Sequence, residues 1–150
     1  MATTSLQEAK MRLIELGNLT GSPVFAMSRK IVEYLEEQSQ QNRLTIGGLR
    51  AALSTQRSED RVLAEAAFVL TIHPFEVLDV QYRLYDESFS EVLEIISKNE
   101  YAQALSTGEF YYEGELIDPD HFQSRVFPIF LNQSPGTSEE VTTDGVASSL

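Results

Sequence analysis

An α+β fold, mainly helical with a small antiparallel sheet, follows from three features of the chain. Helix-capping signals followed by apolar residues three and four apart recur up to Leu70. Residues 76–85 then alternate apolar and polar side chains with period two, and EFYYEGELI further on reads as two short strands around a Glu113-Gly114 turn. From Ser134 on, SPGTSEEVTTDGVASSL has no aromatic residue and almost no large apolar one, which predicts a disordered tail over 134–150 behind a single domain over 1–133.

The hydrophobic fraction of 42% and the charged fraction of 23% are those of a globular chain, and 150 residues bury a core without covalent staples. With no cysteine, a disulfide scaffold, an iron–sulfur site and a thiol nucleophile are excluded, and structural zinc is disfavoured. MATTSLQEAKMRLIEL mixes charge into its apolar positions, unlike an export signal, and no segment has the apolar length of a membrane span, so the chain reads as soluble and cytoplasmic. The net charge of −12 is unevenly placed: residues 1–86 carry nine basic and eleven acidic side chains, residues 87–150 two basic and twelve acidic. Acid concentrated in one half marks either a solvated face or a surface that steers a basic partner.

Ser5 and Glu8 have capping-box spacing, and Leu6, Ala9, Leu13 and Leu16 trace a short amphipathic helix that Gly17 is expected to stop. Packing on its own domain is its expected role; a dimer arm, hence a homodimer, or a partner-binding helix are the alternatives. Ser22 and Pro23 open a helix over residues 23–38 with Val24, Met27, Ile31 and Leu35 on one stripe. Thr45 caps a short helix whose buried face is Ile46, Leu49, Ala52 and Leu53, and Gly47 with Gly48 are expected to let a neighbour pack closely. Ser58 is the expected cap of the next helix, with Leu63, Ala66, Ala67 and Leu70 inward and Pro74 beyond its end.

Within 76–85, Leu78, Val80, Tyr82 and Leu84 predict a half-buried strand. A continuous helix through Ile96 is the competing reading, since Leu78, Tyr82, Tyr85 and Phe89 are also three or four apart; valine and tyrosine content favours the strand. Ser88 and Glu91 repeat the capping box, and Phe89, Val92, Leu93 and Ile96 predict one helix running toward Leu105 and Gly108. Asp118-Pro119 starts a helical turn or loop, and Pro128 confines RVFPIFL to a sheet edge or an extended segment.

The order of a helix, the LTIGGLRAAL helix, a turn, the RSEDRVLAEAAFVLT helix and a strand beginning FEVLDVQYRLY resembles the winged helix-turn-helix order over residues 23–86. That fold serves both DNA-binding regulators and protein-interaction modules. The resemblance implies that Arg57, Ser58, Glu59, Asp60 and Arg61, at the start of the motif's second helix, form the groove-reading region of a DNA-binding member, with Arg43 and Arg50 extending the cationic patch. Glu59 and Asp60 oppose a polyanion there, a net charge of −12 repels DNA at long range, and apolar side chains on several sides of the helix point to burial. A second wing strand is not expected after Tyr85, where the chain is predicted to enter a helix.

Asp118, Asp120 and His121, with Glu113 or Glu115, come nearest to a metal-ligand cluster, but their spacing matches no defined site; a turn cap at Asp118 or Asp120 with His121 at the surface is the expected arrangement. His73 reads as a helix-end residue near the core. No nucleophile constellation, phosphate loop or cofactor motif is visible, so no catalytic residue, cofactor or metal is assigned. Tyrosines flanked by glutamates have the pattern of an interaction surface: Phe110, Tyr111 and Tyr112 as anchors, Glu109, Glu113 and Glu115 as steering charges. A non-enzymatic protein–protein interaction module, whether adaptor, small complex subunit or inhibitor, is therefore expected, with a basic partner surface. A DNA-binding transcriptional regulator using Arg43, Arg50, Arg57 and Arg61 is the alternative, and an acidic immunity-type or DNA-mimicking inhibitor a third.

Overall fold

The computed structural model describes residues 5–133, and the predicted tail lies outside them. Ser5 Oγ accepts the Glu8 N–H at 3.1 Å while the Glu8 carboxylate accepts the Ser5 N–H, and from this box helix α1 runs over Leu6–Thr20. Helix α2, Pro23–Glu37, starts at Ser22, whose hydroxyl accepts the Val24 N–H. Gly17 does not end α1. It faces α2, where an added Cβ would lie 4.0 Å from Phe25 Cβ, and the helix stops instead at Gly21, whose φ of 68° is left-handed and whose N–H donates to the Gly17 carbonyl. Lys10 and Glu36, 2.8 Å apart, join the two helices at the surface.

After strand β1, Arg43–Leu44, helix α3 covers Ile46–Leu53 with Thr45 Oγ1 accepting the Gly48 N–H at 2.9 Å. Its buried face is narrower than predicted. Leu49 is buried, Ile46 and Leu53 half-buried and Ala52 exposed, because a helix of eight residues turns only one side toward α2 and the helix that follows. Nothing lies within 4 Å of a Cβ at Gly47, and at Gly48 that Cβ would meet Thr45 Oγ1 at 3.1 Å, so Gly48 clears the cap and neither glycine serves a close helix contact.

A single 3-10 turn, Arg57–Glu59, precedes helix α4, Asp60–Val69, so Ser58 is not its cap; the Glu59 carboxylate instead accepts the Gln56 N–H at 3.0 Å. Leu63, Ala66, Ala67 and Leu70 are fully buried, Phe68 packs edge-on against Phe130 at 5.0 Å, and the buried Ser28 hydroxyl donates to the Ala66 carbonyl at 2.9 Å. These contacts place α4 in the core, as its apolar flanks imply. His73, by contrast, is exposed rather than near the core, and it precedes a cis Pro74.

Strand β2, Leu78–Tyr85, follows the predicted alternation. The helix predicted from Ser88 is corrected in its first half, which is strand β3, Val92–Ser97, antiparallel to β2 from Gln81↔Ser97 to Tyr85↔Val92. Asp86 is the cause. Its carboxylate accepts the Ser90 and Glu91 N–H groups at 2.8 and 3.2 Å and the Ser88 and Ser90 hydroxyls at 3.1 and 2.9 Å, so Ser88 closes a hairpin loop rather than capping a helix. The branched Val92, Ile95 and Ile96 then suit a strand. A helix, α5, does form over Lys98–Thr107, from a Ser97–Glu100 capping box to Gly108 at φ 75°.

Strands β4, Phe110–Tyr112, and β5, Glu115–Ile117, form the expected hairpin, and Asp118 accepts the Asp120 N–H to start helix α6, Pro119–Arg125. The last strand, β6, covers Val126–Asn132 in a sheet ordered β1-β6-β2-β3. It is therefore an interior strand despite Pro128. The two-residue β1 pairs only Arg43↔Leu131 and Leu44↔Phe130, so it ends before the proline, where a missing N–H breaks no ladder on that side.

The described residues form two compact units, one up to Asp79 and again from Phe130, the other Val80–Ile129. Within the latter, Leu84, Ile96, Ala104, Phe122 and Val126 are buried together, with Tyr82, Leu93, Tyr101, Phe110, Tyr112 and Ile117 packed around them. Among the described residues no helix is long and apolar enough to cross a membrane.

Candidate interaction surface

The β4–β5 hairpin divides the predicted anchors between two faces. Glu113 and Gly114, at φ 52° and 83°, make a two-residue left-handed turn that sets Tyr111 opposite Leu116 and Phe110 opposite Ile117. Phe110 stacks on Phe122 at 4.5 Å and Tyr112 packs on the same cluster, so both are half-buried and structural. Tyr111 and Leu116 point the other way and are 57% and 55% exposed. Glu109, Glu113 and Glu115 are exposed, Glu115 opposite Tyr112 across the hairpin and Glu113 beside the Tyr112 hydroxyl. Burial, and then the neighbouring Glu113, Glu94 and Glu91 carboxylates, raise the Tyr112 hydroxyl above the usual tyrosine range. Leu116 was not singled out from sequence, although the two-residue turn alone fixes it across from Tyr111.

The unit holding this hairpin is apolar and acidic at once. Residues 80–129 carry three basic and ten acidic side chains, the other described residues eight and ten. Of ten large apolar side chains exposed among the described residues, seven belong to residues 80–129.

The four arginines of the alternative reading lie in the other unit and are differently engaged. Arg50 Nε and Nη2 donate to the two Asp60 oxygens at 3.0 and 3.1 Å, a fork-to-fork pair. That bond, ahead of the Arg50 and Arg57 charges, holds the Asp60 carboxyl below its usual range against partial desolvation. Arg61 Nε lies 3.8 Å from Glu65 at the surface, and Arg43 and Arg57 are exposed. Asp118 caps α6, His121 is exposed, and among the described residues no three His, Asp or Glu side chains gather as a metal site.

No protein-family model, curated protein or solved structure matches the chain. Its class is an α+β protein of helices with a small antiparallel sheet.

Proposed function

We propose that the protein is a non-enzymatic interaction module, an adaptor or small complex subunit, that takes a basic partner segment on the acidic, aromatic face of residues 80–129. The observation that supports this is the outward Tyr111–Leu116 pair. Two cross-strand apolar side chains held outward by a tight turn, on a hairpin that also carries the exposed Glu109, Glu113 and Glu115, have the composition of an apolar anchor with steering charge close by. The charge acts on encounter more than on affinity, and salt screens it over about 8 Å at physiological strength.

Fluorescence anisotropy with a short labelled peptide of leucine and lysine in amphipathic order is the test. Changing Glu109, Glu113 and Glu115 together to glutamine is expected to weaken binding several-fold at low salt, with the gap closing as salt rises. Equal affinity of the variant at low salt counts against the proposal.

A DNA-binding regulator is the second reading, and one observation favours it: the β2–β3 hairpin supplies the second strand that a wing requires after α4. Against it stand the Arg50–Asp60 and Arg61–Glu65 pairs, which leave Arg43 and Arg57 as the two of these four arginines without an ion pair within 4.0 Å among the described residues. Tight, salt-sensitive binding of mixed duplex DNA that is lost in an Arg43→Ala/Arg57→Ala variant would displace the interaction reading.

A further inference from the structure

Phe89 sits where backbone chemistry does not ask for a phenylalanine. Its φ is 59°, a left-handed conformation that favours glycine or asparagine, and 52% of it faces solvent. The loop is nonetheless fixed: besides the four bonds to the Asp86 carboxylate, the Phe89 N–H donates to the Asp86 carbonyl at 3.0 Å and the Asp86 N–H to the Glu91 carbonyl at 3.0 Å. So held, the ring lies 6.0 Å from Phe127 and 6.3 Å from Tyr85, which are 5.9 Å from each other. Phe127 is itself 46% exposed. It follows the buried Val126 along β6, so it stands on the opposite side of the strand from the cluster that the β4–β5 hairpin covers. A cleft of about 220 Å³ opens beside Phe89, bounded by Glu87, His121, Ser124 and Arg125, and Arg125 is tied down by donating to the Tyr85 carbonyl at 3.2 Å.

We propose that Phe89, Phe127 and Tyr85 are a second docking site, separate from Tyr111–Leu116, which takes an apolar side chain of a basic peptide segment. Rings whose backbone is already locked lose little freedom on binding, the property expected of anchor residues. Charge selects the occupant. Asp86, Glu87 and Glu91 in the loop outnumber Arg83 and Arg125 nearby, within a unit of ten acids and three bases. A second copy of the chain would set that acid against itself, whereas a lysine- or arginine-bearing segment complements it. The inference shares with the proposed interaction function only the basic character of the partner.

The leucine–lysine peptide is titrated into the intact protein and into three variants: Phe89→Gly, Phe127→Ser and the double change Tyr111→Ser/Leu116→Ser. Glycine suits the backbone at position 89, so Phe89→Gly is expected to keep its thermal midpoint while its affinity drops about five-fold or more, with Phe127→Ser losing a similar factor. Affinities of both within about two-fold of the parent would overturn the inference. If only the Tyr111→Ser/Leu116→Ser change matters, the second site fails and the hairpin reading stands; if only the Phe89 and Phe127 changes matter, the reverse holds; if the parent protein does not bind, both fail. Sedimentation showing a dimer that Phe89→Gly dissolves would make the occupant a second copy and also overturn the proposal.

Discussion

Asp60 shows how much a single side chain can divert an expected role. In the sequence it reads as first-turn acid for α4, facing a polyanion; in the fold it is the clamp for Arg50. Because its folded pKa is depressed, the clamp stabilises the protein fully above the unfolded value of about 3.9 and is lost as pH falls through the lower folded value. The thermal midpoint of the parent should therefore exceed that of Asp60→Asn at neutral pH, and the difference should shrink between about pH 5 and pH 2. A pH-independent difference would remove the ion pair from the account. Ser28 is the other revealing residue. It interrupts an apolar stripe, yet its hydroxyl ties α2 to the Ala66 carbonyl of α4 with no exposure, so Ser28→Ala should lose about 1 kcal/mol in urea unfolding.

At the level of elements, the helices with a capping residue directly before a periodic apolar run were legible: Ser5–Glu8, Ser22-Pro23 and Thr45 all act as their spacing says. The β4–β5 turn was legible as well, since few sequences other than two residues with positive φ join strands so short. Residues 86–97 were not, because Ser88–Glu91 and Ser97–Glu100 are both capping boxes by spacing and nothing local says that Asp86 claims the first serine. Ser97→Ala should therefore destabilise α5 by about 1 kcal/mol, seen as faster amide exchange across Lys98–Thr107. Ser88→Ala, by contrast, should leave that exchange unchanged. Pro128 misled for a related reason: the edge rule applies residue by residue, and β1 is too short to reach it. The cluster that these elements close around is centred on fully buried Leu84, and Leu84→Ala should cost about 3 kcal/mol in urea unfolding.

For the molecule as a whole, the charge asymmetry was readable from composition, and its coincidence with exposed apolar side chains was not. Exposure depends on strand facing. The same EFYYEGE run holds Phe110 and Tyr112 against the core while Tyr111 turns outward, and Leu116 and Phe127 stay exposed. Of the three aromatics that the sequence offers as anchors, Phe110 and Tyr112 are thus half-buried and only Tyr111 is exposed.

Amide chemical-shift mapping with the leucine–lysine peptide decides whether residues 80–129 present a docking face for a basic amphipathic segment. Perturbations at Tyr111 and Leu116 that salt reduces are expected, with Arg43, Arg50, Arg57 and Arg61 unmoved. Perturbations confined to those arginines, or none at saturating peptide, would contradict it.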